Sequence, residues 1–160
     1  MYSRLSRKRM NENRTILLVD DSENDILLLR IAFAAAGIIN PLQEARNGDE
    51  AVAYLQGEKP FSNRKKFPLP AIMLLDLNMP TRSGFEVLEW VRAQPGLKRL
   101  TVIILTASLR AEDVDRAFDL GANAFLVKPS SIEGLTAIAR CLHKWMGCIN
   151  FPQLKEVVWK

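Results

Sequence analysis

The chain has 160 residues, 48% of them hydrophobic and 25% charged, which is the size and composition of one globular domain with one core. Its formal charge of +4 sits in residues 1–14, where Arg4, Arg7, Lys8, Arg9 and Arg14 face only Glu12; the rest balances at 17 basic and 17 acidic residues. No stretch nears the ~18 apolar residues that cross a bilayer, Ile16–Val19 behind the basic arm is too short for a signal peptide, and Cys141 and Cys148 form neither a CxxC motif nor a disulfide framework, a pattern that reads as a cytoplasmic protein with reduced, partly buried thiols.

The first predicted element is a strand, Thr15–Val19, running into Asp20 and Asp21. Ser22 with Asp25 three residues on has the capping-box pattern and opens a helix over Asn24–Ala36, which Gly37 closes. A weaker strand covers Pro41–Ala45, and Asn47 with Glu50 begins a helix over Gly48–Leu55. Residues 56–70, QGEKPFSNRKKFPLP, form a long basic connection with three prolines, of the length that marks a functional or inserted surface loop. The strand Ala71–Asp76 again ends on an acid, and Ser83 with Glu86 starts a helix over Gly84–Ala93. The strand Thr101–Leu105 meets Thr106, a helix over Ala111–Leu120 stops at Gly121, and the strand Asn123–Val127 meets Lys128 and Pro129. Ser130 with Glu133 opens the last helix, Ser131–Met146. This divides the chain into a basic arm (1–14), a domain (15–146) and a tail (147–160).

Alternating strands and helices, with strands apolar on both faces, predict a doubly wound α/β fold with a parallel sheet between two helical layers. With strand order 2-1-3-4-5, ligands bind beyond the carboxyl ends of the strands, where the order reverses. Asp20, Asp21, Asp76, Thr106 and Lys128 all fall at such ends and meet in one crevice. Close carboxylates repel and call for a cation, and oxygen ligands suit Mg²⁺. Lys128 brings a point charge for a phosphoryl oxygen and Thr106 a hydroxyl donor, while a carboxylate can itself take the phosphoryl group as a nucleophile. A lone Asp after a strand is ordinarily a cap or turn residue; the coincidence at four strand ends is what carries weight.

The segments LLVDDS (17–22), LLDLNMPTRSGFEVL (74–88), VIILTAS (102–108) and GANAFLVKP (121–129) resemble the response-regulator receiver domains of two-component signalling. The spacing agrees, with 30 residues from Asp76 to Thr106 and 22 from Thr106 to Lys128. The resemblance implies a flavodoxin-like receiver fold, with Asp76 as phosphoacceptor. It implies Mg²⁺ ligation by Asp21, Asp76 and the backbone carbonyl of Asn78, with Asp20 acting through bound water. Thr106, Ala107 and Lys128 become the phosphoryl-binding residues, Thr106 and Phe125 the switch pair, and Lys128–Pro129 a cis peptide. Phe125 stands where many relatives have Tyr, and Asn78 and Ser108 hold positions that tune phosphoryl lifetime in the family. The loop before the third strand, the LTAS segment and Trp145 with its short tail are similar to regulators that partner phytochrome-type histidine kinases.

The resemblance thus implies a switch rather than an enzyme, fed by a sensor histidine kinase and read through the surface of the fourth helix, fifth strand and last helix. The 32 residues after Lys128 hold one helix and a tail, so output is expected by contact with a downstream protein. Tail residues Ile149, Phe151, Val157, Val158 and Trp159 either pack back on the domain or join a partner or homodimer interface. Three rivals are weaker. A haloacid-dehalogenase-type phosphatase would want a second Asp at Asn78. A receiver-like scaffold independent of phosphorylation would not need the full set of acids, Thr and Lys. Nucleic-acid binding through the arm and loop lacks a recognition motif. His143 reads as a surface residue.

Overall fold

The structure, a computed structural model, describes residues 11–157. Among these, strands β1 (Ile16–Val19), β2 (Leu42–Ala45), β3 (Ile72–Leu75), β4 (Thr101–Thr106) and β5 (Ala124–Val127) alternate with helices α1 (Glu23–Ala35), α2 (Gly48–Gln56), α3 (Gly84–Ala93), α4 (Ala111–Asp119) and α5 (Ile132–Met146). The sheet is parallel throughout, in the order β2-β1-β3-β4-β5. This is the doubly wound, flavodoxin-like arrangement the sequence predicts.

Residue alternation along each strand builds two cores. Leu17, Val19, Met73, Leu75, Val102 and Ile104 point to one face and meet α2 and α3 through Leu55, Leu88 and Val91. Ile16, Leu18, Ile72, Leu74, Ile103 and Leu105 point to the other and meet α1 and α5 through Leu29, Phe33, Ala139 and Leu142. Burial on both faces is why β1 and β3 read as unbroken apolar runs. At the sheet edge β5 is only half-covered. Helix α4 is lightly docked, with Ala117 its one fully buried residue.

Three predicted caps form: the side chains of Ser22, Asn47 and Ser83 accept hydrogen bonds from the backbone N–H groups of Asp25, Glu50 and Glu86, and Ser83 with Glu86 completes a capping box. The last cap moves by one residue. Ser131, not Ser130, accepts from the Gly134 N–H at 3.0 Å, because Ser131 holds the extended backbone that a cap requires. Gly134 then lies against the Pro129 ring, where a side chain would collide.

The long connection is folded rather than loose. Tyr54, Phe61 and Phe67 pack tilted or edge-on with ring centroids 5.2–6.0 Å apart, and the Arg64 guanidinium donates to the carbonyls of Tyr54, Leu55 and Phe67. The tail crosses to this loop. Lys155 N–H donates to the Gly96 carbonyl, Glu156 pairs with Arg64 at 2.9 Å, and Leu154 and Val157 pack on the first core. Residues 11–14 are docked on the domain: the Asn11 amide donates to the Met146 and Ile149 carbonyls, and the Arg14 guanidinium lies 5.8 Å from the Phe151 ring. Arm residues 1–10, together with Val158 and Trp159, lie outside the described residues.

Two expectations are corrected. Cys141 and Cys148 are exposed, not partly buried, because Cys141 borders the uncovered edge beside β5 and Cys148 follows the end of α5. Lys128–Pro129 is trans; Lys59–Pro60 is the cis bond among the described residues. Trans is the lower-energy X-Pro form by about 0.5–1 kcal/mol, and with it the Lys128 ammonium still reaches the acids.

Candidate functional site

The pairing register aligns the strand ends. Val19 lies beside Leu75, Leu75 beside Ile104, and Thr106 beside Val127, so the residues that follow share the carboxyl end of the sheet. Asp20 and Asp76 are buried there and Asp21 is exposed. One carboxylate oxygen from each of the three lies within 4.8 Å of the others.

Lys128 enters this cluster from the end of β5. Its Nζ donates to Asp20 Oδ2 at 2.5 Å and to Asp25 Oδ2 at 2.9 Å, and stands 3.5 Å from Asp76 Oδ2. Burial works to lower the Lys128 pKa, but the hydrogen bonds to Asp20 and Asp25 and the field of Asp76 outweigh it and keep the ammonium above its ordinary range. For Asp20, burial raises the carboxyl above the usual range against the opposing pull of the Lys128 and Ser22 hydrogen bonds.

The other predicted residues fall around these. Thr106 is fully buried at the end of β4, its hydroxyl 3.5 Å from the Ser108 N–H, and its carbonyl accepts from Lys128 N–H at 2.7 Å. Ala107 is exposed at the next position. Asn78 N–H points to Asp76 Oδ1 at 3.5 Å. Phe125, in β5, is half-buried against the first core. Ser108 donates to Asp113 Oδ2, tying the β4–α4 connection to α4.

Asp25 is the participant that sequence reasoning missed. It was legible only as the acid of a capping pattern, yet its carboxylate accepts from the same Lys128 ammonium that Asp20 holds. Its signal was the spacing: Ser22 caps α1 with its hydroxyl and donates its own N–H to Asp20 Oδ1 at 2.9 Å, which sets both acids in fixed relation.

Three carboxylates in hard-oxygen array, with one ammonium among four acids, fit a divalent cation of the magnesium type. A sheet-end cluster of this kind on a doubly wound fold defines a receiver. The chain belongs to the response regulator receiver domain family, with the match spanning residues 16–140. Its acidic cluster is positioned for magnesium-dependent phosphotransfer, and it falls with the phosphoacceptor domains usually classed as non-catalytic.

Among relatives, it is 33% identical over 143 residues to response regulator Rcp1 of Synechocystis sp., covering 89% of this chain and 95% of that one. The Mn²⁺-bound structure of Rcp1 superposes with a TM-score of 0.77 at 32% identity, over 87% of this chain and 99% of that one. The phosphorylated cyanobacterial phytochrome response regulator RcpA gives 0.80 at 32% identity, and RPA3017 of R. palustris, a response regulator in red light signalling, gives 0.82 at 36%; each covers 88% of this chain and 99% of the other. The chain is thus homologous to phytochrome-associated response regulators. Among the described residues no helix is long and apolar enough to cross a membrane.

Proposed function

We propose that this protein is a phosphorylation switch in which Asp76 takes a phosphoryl group from the phosphohistidine of a sensor kinase of the phytochrome type. The observation that carries the reading is the Asp76 carboxylate, buried beside Asp20 and Asp21 with the Lys128 ammonium 3.5 Å away. In the transfer a carboxylate oxygen of Asp76 bonds to phosphorus as the phosphorus–nitrogen bond of the donor breaks, and the electron pair returns to the imidazole. Phosphoryl transfer asks mainly for in-line positioning and neutralised equatorial oxygens.

Asp21, Asp76 and the Asn78 carbonyl would hold Mg²⁺, with Asp20 acting through water; the ion supplies charge neutralisation for the phosphoryl oxygens. Lys128 and Thr106 supply the protein's own donors, and the small Ala107 leaves the approach open. The kinase assignment draws on RcpA, a phosphorylated phytochrome response regulator, and RPA3017, a response regulator in red light signalling.

Moving a switch from 1:99 to 99:1 takes about 5.5 kcal/mol, and charge-assisted hydrogen bonds of roughly 1.5–3 kcal/mol each reach that in two or three contacts. Thr106 moving to the phosphoryl group frees space for Phe125 to turn inward. That reshapes the α4–β5–α5 surface for a downstream protein.

The test is transfer from a phytochrome-type histidine kinase autophosphorylated with labelled ATP. Label is expected to leave the kinase and appear on this protein with Mg²⁺, and not on Asp76→Asn. Label that stays on every such kinase, while a small phosphodonor still labels Asp76, removes the phytochrome partnership and keeps the switch.

A further inference from the structure

Lys128 is held more closely by Asp25 than by Asp76, at 2.9 against 3.5 Å. Asp25 is not one of the three acids whose oxygens converge for a cation. It stands on the first turn of α1, its side chain 37% exposed where those of Asp20 and Asp76 are 4% and 9%. Its backbone is pinned by the Ser22 cap at 3.2 Å, and the same Ser22 pins Asp20.

A cation and the Lys128 ammonium draw on the same carboxylates, Asp20 and Asp76. Lys128 now occupies Asp20 and faces Asp76, both of the convergent trio, and two positive groups on shared ligands repel one another. For a divalent ion to draw on Asp20 and Asp76, the ammonium needs another acid within reach. Asp25 is that acid.

We propose that Asp25 is a positioning residue, a side berth that keeps Lys128 in the site while a divalent cation takes over its share of Asp20 and Asp76. Lys128 then stays beside the phosphoacceptor without competing for the cation's ligands. Take away the berth, and the ammonium settles on the trio and opposes the ion. The inference rests on reading Asp20, Asp21 and Asp76 as a divalent-cation site.

A double-mutant cycle on the full chain, read as Mn²⁺ affinity by electron paramagnetic resonance and Mg²⁺ affinity by calorimetry, tests it. Asp25→Asn keeps the side-chain shape and is expected to weaken both ions about threefold to fivefold, the scale of a partly exposed ion pair. In a Lys128→Met background the same substitution is expected to change affinity by less than about 1.5-fold, because the coupling runs through Lys128. Should that background fail to fold by circular dichroism, Lys128→Gln replaces it. An equal loss in both backgrounds would mean that Asp25 acts only as a through-space charge, and overturns the proposal; so does no loss in either. Failure of the unaltered protein to bind either ion overturns the cation-site reading and this proposal with it.

Discussion

Tyr54 shows how a single buried group ties stability to pH. Its ring is fully buried in α2 and its hydroxyl donates to the Pro68 carbonyl at 2.7 Å. Burial pushes the phenol up from 10.0 to about 12. A raised folded-state pKa means the contribution is complete below the unfolded value and is lost as pH climbs through the folded one. Stability should therefore fall between pH 10 and about 12, by roughly 2–3 kcal/mol for a shift of this size. Urea denaturation across that window checks it. Tyr54→Phe should flatten the dependence while costing about 1 kcal/mol at neutral pH through the orphaned Pro68 carbonyl. At the same scale, Asp20, Asp21, Asp76 and Lys128 were legible because their chemistry sits at strand ends, where chain order alone brings them together. Asp25 was not, since helical phase relative to a lysine 103 residues away is set only by tertiary packing.

Between elements, the start of α3 is fitted directly to the end of β3. Gly84 opens the helix, and a methyl group there would collide with the Asp76 carbonyl oxygen. Gly84→Ala must push the Asp76 backbone aside, so it is expected to cost about 1–3 kcal/mol and to lower phosphoryl uptake from a small phosphodonor, measured together by urea titration and intact mass. A stability loss with uptake unchanged would separate the two. Arg92 does similar joining work farther from the site, donating from α3 to the carbonyls of Leu100 and Gly121. Strand and helix order was readable from period and caps, because both sheet faces demand apolar residues. The exact opening of α5 was not: Ser130 and Ser131 both precede the helix, and only backbone conformation chooses between them. The trans form of Lys128–Pro129 was not readable for a related reason, as a dipeptide does not carry its own isomer.

Across the whole molecule, the end of the chain is part of the domain's packing through residue 157. Phe151 stacks edge-on to Trp145 at 6.2 Å, Leu154 and Val157 cover the first core, and Glu156 meets Arg64 of the long loop. Truncation after Gly147 is expected to cost about 2–4 kcal/mol, from partial burial of three apolar side chains and the lost Lys155–Gly96 hydrogen bond. The urea midpoint should drop while the elution volume on size exclusion still reports the same assembly state. An unchanged midpoint with altered assembly would instead assign the tail to an interface. Composition could show that this segment is apolar, but not which surface receives it, since that depends on the loop folding around Arg64. The same holds for the basic arm, where charge does not show that Asn11 contacts the domain through its amide and Arg14 through the Phe151 ring.

Intact mass after incubation with Mg²⁺ and a small acyl phosphate reaches the centre of all this most directly. One phosphoryl group should be gained, and the gain should vanish with a chelator or in Asp76→Ala. No adduct under those conditions, or an adduct that survives Asp76→Ala, would contradict Asp76 as the acceptor.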